Sequence, residues 1–102
     1  MMKDILQDMD KAFDSRVRIG IMSVVIAEGT IDFNALKKIL GVTDGNLASH
    51  TASLEIKQYI QIHKKFIGKR PNTTYSATPL GKTAFRKHVM ALQKILMAKS
   101  FH

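Results

Sequence analysis

The chain has no cysteine, no tryptophan and only two prolines in 102 residues. Without thiols it can form neither disulfide bonds nor thiolate metal sites, so we expect a reducing, cytoplasmic location. The longest apolar run, residues 19–27, contains a glycine and a serine and is far too short to span a membrane. The N-terminal residues are mixed and acidic rather than basic and then apolar, so they do not predict a signal peptide.

Acidic residues are scarce after residue 33. Residues 34–102 hold twelve of the sixteen basic residues but only two of the eight acidic ones, Asp44 and Glu55. A basic region on a domain with a pI near 10.0 predicts binding to a polyanion. The alternative is a basic surface that serves only solubility. No nucleophile stands beside a base and no glycine-rich phosphate loop follows a strand, so we expect neither an enzyme nor a cofactor.

Residues 33–58 predict two helices joined by a tight turn. Leu36, Ile39 and Leu40 have the spacing of one apolar helix face, and Gly41 can end that helix because it adopts positive φ without strain. Thr43 supplies a side-chain oxygen to cap the next helix. This pattern is typical of a helix-turn-helix.

The second of these helices has two unlike faces. Leu47, Thr51 and Leu54 fall on one face, and four short or polar side chains fall on another: Asn46, Ser49, His50 and Ser53. A solvated helix usually carries long charged side chains, whereas short polar groups suit a helix that lies in the major groove and reaches base edges. The pattern therefore indicates a recognition helix.

The remaining segments complete one domain, 1–102, that is mainly α with a small β-hairpin. A first helix is predicted over 4–13 and a second, capped by Asp14 or Ser15, runs to Glu28 and is buried at the centre. A short extended piece follows at 30–31. Alternation predicts a strand over 60–66, a turn-rich tip over 68–73 and a returning strand over 74–77. Thr78 and Pro79 begin a last helix that ends near Ala98.

This order of elements resembles a winged helix-turn-helix with terminal helices at 1–13 and 79–102 and a wing hairpin at 59–78. The motifs that carry the likeness are T-D-G-N-L-x-S-H at 43–50 and G-K-R-P-x-T-x-Y at 68–75, together with Ser15–Arg18 and Thr78–Gly81. They make the chain similar to winged-helix transcriptional regulators of the MarR/ArsR kind, in a compact single-domain subgroup.

The resemblance implies a bacterial or archaeal DNA-binding repressor or activator that acts as a homodimer. It carries base contacts to Asn46, Ser49 and His50, and wing contacts to Lys69, Arg70 and Thr73. Two positions depart from the family. Thr51 stands where relatives tend to carry leucine, which predicts looser packing. Gln58 stands where glycine commonly closes the helix, at a cost of a few tenths to about 1 kcal/mol.

We expect double-stranded DNA as the partner, with contacts from both elements. The expected DNA-binding residues are Thr43, Asn46, Ser49, His50, Ser53, Lys64, Lys65, Lys69, Arg70, Asn72 and Thr73. The lysines of the hairpin have an alternative role, because exposed lysine also discourages edge-to-edge aggregation. The alternative function is a winged helix that binds another protein without specific DNA binding. Arg16 and Arg18 are expected to be solvated, with a phosphate contact as the alternative.

The terminal helices predict self-association. Their apolar stripe exceeds what the domain's own core can cover, so we expect a dimer interface formed by Ile5, Leu6, Met9, Phe85, Val89, Leu92, Ile95 and Leu96. The alternative is that the last helix packs against the chain's own first helix. Nothing in the sequence indicates a small-molecule effector, and one would have to occupy the dimer junction.

The four histidines, His50, His63, His88 and His102, do not predict a metal site. None has a carboxylate or thiol at ligand spacing, and no two share a helix face at i, i+4. We therefore expect no metal. His88 is expected to face solvent or a partner, and His63 to lie on a strand face beside lysines.

Overall fold

The computed structural model describes residues 1–98, which form five α-helices and one three-stranded antiparallel sheet. The elements in chain order are α1 (Met2–Gln7), a 3-10 turn (Lys11–Phe13), α2 (Arg16–Glu28), β1 (Thr30–Asp32), α3 (Phe33–Leu40), α4 (Asp44–Ile56), β2 (Ile60–Ile67), β3 (Arg70–Ala77) and α5 (Pro79–Met97). Within this range no helix is both long enough and apolar enough to cross a membrane.

Local capping chemistry begins four of the helices, as predicted. A side-chain oxygen of the residue before the helix accepts a backbone N–H of its first turn: Ser15 from Arg18, Asp32 from Ala35, Thr43 from Asn46 and Thr78 from Gly81. Each bond satisfies a donor that the helix itself leaves without a partner. The end of α3 is also confirmed, because Gly41 adopts the left-handed conformation with φ 65°.

The first predicted helix, over 4–13, is wrong in its second half. α1 stops at Gln7, and the chain turns at Asp10, whose backbone is extended and whose Oδ1 accepts the N–H of Ala12 at 2.9 Å. Aspartate readily makes such a local bond, which competes with helix continuation. The break separates the predicted stripe, so that Phe13 enters the core while Leu6 stays 54% exposed.

The sheet has one strand more than the predicted hairpin. β1 pairs with β3 on the side opposite β2, which gives the order β1-β3-β2. Tyr75 lies in register with Ile31 on one side and Ile62 on the other. β1 is only three residues long, so its pairing depends on a neighbour that is distant in sequence.

The predicted tip over 68–73 is also wrong, because the turn contains only Gly68 and Lys69. β3 begins at Arg70, in register with Ile67. Gly68 adopts φ 64°, which a residue without Cβ tolerates. Pro71 lies within β3 in register with Phe66, at a level where β1 no longer pairs and the other side of β3 is an open edge. Sheets tolerate proline at such edge positions.

The predicted central helix is confirmed. Ile21, Met22 and Val25 of α2 have no exposed surface, and the other elements pack around them. The core also contains Phe13, Leu36, Leu47, Leu54, Ile60 and Tyr75. Thr51 is buried in α4, where its hydroxyl donates to the Leu47 carbonyl at 2.8 Å, so this polar side chain leaves no unpaired group under the helix.

Candidate nucleic-acid interface

The outer face of α4 presents polar side chains that are not used inside the protein. Thr43 caps the helix, so the side chain of Asn46 is left without a hydrogen bond among residues 1–98, and the hydroxyl of Ser49 is likewise unpaired there. Both residues are exposed. Ser53 differs, because its Oγ donates to the Ser49 carbonyl at 3.2 Å. Asn46 and Ser49 are therefore available to an external partner.

His50 is half-buried and bonded to α2. Its Nδ1 accepts the Nε–H of Arg18 at 3.1 Å, and Nη1 of the same guanidinium donates to the Ala12 carbonyl at 3.3 Å. The expectation that Arg18 is simply solvated was wrong. Sequence spacing carries no signal for this pair, because its members are thirty-two residues apart. Arg16, two residues earlier in α2, is exposed.

The acidic residue nearest the start of α4 has its own counter-charge. Asp44 Oδ1 lies 2.6 Å from Lys37 Nζ of α3, and both side chains are substantially exposed. An exposed ion pair of this kind adds little to stability. It does offset the one negative charge in the first turn, beside Asn46.

The wing, β2 and β3 with their turn, carries four exposed cations. Lys64, Lys65, Lys69 and Arg70 form no ion pair within the described part of the chain. The strand register places Lys64 opposite Thr73 and Lys65 opposite Asn72. Each lysine therefore stands beside an uncharged hydrogen-bonding side chain. The two lysines lie on opposite faces of β2, so both faces of the wing offer donors to an anionic partner.

Two apolar side chains at the wing's end were not singled out from the sequence as surface features. Phe66 is 73% exposed and Ile67 is 61% exposed, directly before the turn. The alternation of β2 assigned Phe66 to the inner face together with Ile60, but the core ends near Ile62 and the strand projects beyond it. The sequence did not show that β2 is longer than the core it covers, and this is why Phe66 was wrongly assigned to the inner face.

The root of the wing is tied to the N-terminal segment and to α5. The hydroxyl of Tyr59 donates to Asp10 Oδ2 at 2.5 Å, and this bond, with burial and the negative charge, raises the pKa of Tyr59 to about 12. The backbone N–H of Asp10 donates to His88 Nδ1 at 3.0 Å. His88 is only 2% exposed, so the expectation that it faces solvent or a partner was wrong.

The position of His88 follows from the packing of α5. The inner face of this helix contains Gly81, His88 and Ala91, and the imidazole packs edge-on against Phe13 with ring centres 5.2 Å apart. Positions 81, 88 and 91 have the spacing of one helix face. A search for the buried face of α5 that allowed small and polar residues as well as large apolar ones would therefore have identified His88. Among residues 1–98 no three histidine or carboxylate side chains cluster to hold a metal ion, and His102 lies outside that range.

The predicted dimer residues fall into two groups. Ile5, Met9, Phe85, Val89 and Ile95 are partly covered by their own chain, and α1 packs against α5. Leu6, Leu92 and Leu96 remain 54%, 37% and 82% exposed. The stripe therefore packs in part against the chain's own first helix, and its C-terminal end is left open to solvent.

The helix-turn-helix of α3 and α4 followed by the two-stranded wing matches a known family model. Residues 17–96 match the family described as winged helix DNA-binding domain. This chain belongs to that family. Its fold is that of winged-helix transcriptional regulators. In its terms, α4 is the second helix of the helix-turn-helix.

Individual proteins are also similar to this chain. An uncharacterized protein of Methanocaldococcus jannaschii is 32% identical over 85 residues, which are 83% of this chain and 92% of that protein. A transcriptional regulator homologue from Pyrococcus horikoshii OT3 superposes with a TM-score of 0.80 at 28% identity, over 92% of this chain and 91% of the other. A mutant MarR of E. coli, complexed with operator DNA, has a TM-score of 0.70 at 16% identity, over 93% and 73%. The last shows the fold alone.

Proposed function

We propose that this protein is a sequence-specific double-stranded DNA-binding transcriptional regulator that acts as a homodimer. The observation that carries the proposal is the exposed face of α4, on which the side chains of Asn46 and Ser49 have no partner among the described residues. Unpaired amide and hydroxyl groups of this size match base edges in the major groove. Thr43, His50 and Ser53 flank them on the same helix or at its cap.

The wing supplies the second, less selective part of the binding energy. Lys64, Lys65, Lys69 and Arg70 are exposed and without an acidic partner in residues 1–98. Such cations release counterions from the phosphate backbone, and arginine also suits a narrow minor groove. Asn72 and Thr73 add uncharged donors beside the lysines. The wing therefore adds affinity for any duplex, and α4 adds the preference for a sequence.

The homodimer is proposed from the open end of α5. Leu96 and Met97 are 82% and 80% exposed, and Leu6 of α1 is 54% exposed. Covering these apolar side chains with a second copy removes them from water. A two-fold dimer also reads two half-sites about one helical turn apart, which a single recognition helix cannot do. We further propose repression, because a dimer that occupies a promoter blocks it without any additional contact.

The alternative is a winged helix that binds another protein. The exposed Phe66 and Ile67 at the end of the wing favour it, since apolar side chains without cover mark protein contacts. The cations on both sides of them, and the polar face of α4, favour DNA. One experiment separates the two.

That experiment selects duplexes from a random pool with the full chain and then measures affinity for the selected site against salt. DNA binding by this surface predicts a two-fold symmetric consensus and a log affinity that falls linearly with log salt, by about 0.9 per phosphate contact. Failure to enrich any sequence, with an affinity indifferent to salt, would exclude the proposal and leave the protein-binding alternative.

Replacing the two cations at the wing turn tests its role. Lys69→Ala with Arg70→Ala should weaken binding to the selected and to unrelated duplexes alike, by about 10- to 100-fold, and lower the salt slope by about 2. The matched control is Lys11→Ala with Lys82→Ala, which removes equal charge from exposed positions in the 3-10 turn and in the first turn of α5. Equal losses in both pairs would show that net charge, not the wing, is responsible.

A further inference from the structure

Arg18 connects the buried helix of the domain to the exposed face of α4. Its backbone N–H is bonded to Ser15, its Nη1 to the Ala12 carbonyl at 3.3 Å and its Nε to His50 Nδ1 at 3.1 Å. The guanidinium is thus held by the backbone of the 3-10 turn while it contacts the imidazole. The direction of the His50 ring is fixed by a residue outside the recognition helix.

The bond determines where the proton of His50 lies. Arginine is always protonated in proteins and has five N–H donors but no acceptor. An imidazole nitrogen that accepts from it must carry a lone pair, so Nδ1 is unprotonated. In a neutral imidazole the proton then belongs to Nε2. An imidazolium would instead place an N–H and a positive charge against the guanidinium.

The protonated nitrogen is directed away from Arg18. Nδ1 and Nε2 lie on different edges of the ring, so a ring whose Nδ1 faces α2 turns Nε2 outward. Nε2 has no hydrogen-bond partner in residues 1–98. His50 follows Asn46 by four residues and Ser49 by one, so its Nε2–H belongs to the same polar face of α4.

We propose that Arg18 is a positioning residue that determines base specificity through His50. It holds the imidazole in the Nε2–H form, so that His50 offers DNA a hydrogen-bond donor and never an acceptor. In the major groove, guanine offers O6 and N7, adenine N7 and thymine O4 as acceptors, whereas cytosine offers only its N4 amino donor. The base opposite His50 is therefore any base but cytosine, with guanine preferred. This inference rests on the proposed function, because it concerns the same face of α4.

The first measurement needs no DNA. Nitrogen-15 spectra of the full chain at neutral pH, with the His50 signals assigned from a His50→Gln variant, report which ring nitrogen carries the proton. The expected result is a protonated Nε2 and an unprotonated Nδ1. Arg18→Met keeps much of the apolar stem but removes the donor, and it should populate the Nδ1–H form. A wild-type His50 protonated on Nδ1, or an even mixture, would overturn the inference.

The second measurement compares duplexes that differ only at the base pair opposite His50. Wild type should reject cytosine there by roughly 10-fold or more, as expected for a lost good contact. Arg18→Met should reduce this ratio several-fold. Arg18→Lys, which keeps a cationic donor of similar reach, should retain it. The matched control is Arg16→Met, which removes the same charge from the same helix end without touching His50.

A double-mutant cycle separates positioning from general damage. In a His50→Ala background, Arg18→Met should have no further effect on the cytosine ratio, although it still lowers overall affinity by its charge. An equal effect of Arg18→Met with and without His50 would overturn the inference. Thermal unfolding of each variant checks that it remains folded. If Arg18→Met does not, Arg18→Gln replaces it, because an amide can accept as well as donate and so no longer fixes which imidazole nitrogen carries the proton.

The outcomes also distinguish a failure of this inference from a failure of the proposed DNA-binding function. A wild type that selects a sequence with cytosine opposite His50 overturns the role of Arg18 and leaves DNA recognition intact. A wild type that shows the predicted tautomer but selects no sequence overturns the proposed function, and the specificity role with it.

Discussion

The helix α4 and the terminal helix α5 both leave one face open to solvent, but with opposite chemistry. α4 exposes Asn46 and Ser49, whereas the C-terminal end of α5 exposes Leu96 and Met97. Water satisfies polar groups until a partner replaces it, so the face of α4 is stable when empty. Apolar groups gain by leaving water, so the end of α5 favours a permanent cover. On the proposed function, this difference makes DNA the exchangeable partner and a second copy of the chain the lasting one.

The two helices meet at the root of the wing. α4 ends in a Schellman motif, in which the N–H of Tyr59 donates to the Leu54 carbonyl at 3.0 Å and that of Gln58 to Glu55 at 2.8 Å. Thr78 then binds this end of α4, with its Oγ1 at 2.7 Å from the Gln58 carbonyl and its N–H bonded to Tyr59 O at 3.0 Å. The polar and apolar faces therefore have a fixed relative orientation.

The largest effect is expected when charged residues replace leucines on the exposed apolar face of α5. Leu92→Lys with Leu96→Lys should weaken dimerisation by on the order of 4 kcal/mol, because two leucines lose their burial in the interface. Light scattering measures the state of association, and binding to the symmetric site should fall with it. Leu80→Lys is the control, since Leu80 is 53% exposed at the other end of α5. A wild type that is monomeric yet binds the symmetric site tightly would contradict the dimer.

The next largest effect is expected at the junction between the end of α4 and the start of α5. A Cβ on Gly81 would lie 2.0 Å from the Tyr59 carbonyl oxygen, so Gly81→Ala must separate α5 from the wing root and should cost about 3 kcal/mol of unfolding free energy. Gly20→Ala is the control. Its Cβ meets only the Leu40 side chain, at 2.9 Å, which can rotate away, and alanine favours the helix. Chemical denaturation measures both, and equal losses would refute this account of the junction.

Tyr59 gives the junction a dependence on alkaline pH. Its pKa is raised from 10.0 to about 12 in the folded protein, first by the bond to Asp10. Below pH 10 the phenol is protonated in both states and its contribution is complete. Between pH 10 and 12 the unfolded chain ionises first, so this contribution, about 1 kcal/mol for a partly exposed group, is lost.

The measurement is denaturant unfolding of wild type and Tyr59→Phe from pH 8 to pH 12. The stability difference between them should shrink as pH rises. Tyr75, whose pKa burial also raises, is present in both proteins and cancels. A difference that stays constant through this range would show that the bond to Asp10 does not stabilise the folded state.

The smallest effect on stability is expected at the C-terminal end of α4. Gln58 has φ 63°, a left-handed conformation that strains a side-chain-bearing residue. Gln58→Gly should therefore stabilise the protein by about 0.5 kcal/mol, since relief of strain exceeds the added freedom of the unfolded chain. Lys57→Gly, at a right-handed position, should destabilise it by a similar amount. Thermal unfolding of the two variants should shift in opposite directions.

Local chemistry explains most of what the sequence predicted correctly. Caps such as Thr43 and Thr78 bond to residues three positions away, and Gly41 acts through its own φ. The predicted closing role of Gln58 is confirmed for the same reason, since the Schellman bonds span only a few residues. The apolar spacing of α2 also sufficed, because a helix apolar nearly all round has only the interior to occupy.

The sequence by itself determined the order of most elements, the helix ends after α1 and the family, because these depend on short-range bonds and on hydrophobic spacing. Only the tertiary structure decided that β1 joins the sheet, that His88 is buried against Asp10, and that Arg18 holds His50. Each of these depends on groups that are distant in sequence. A polar side chain such as His50 or His88 can meet water or a protein partner with similar free energy, so its environment follows from the packing around it rather than from its position in a motif.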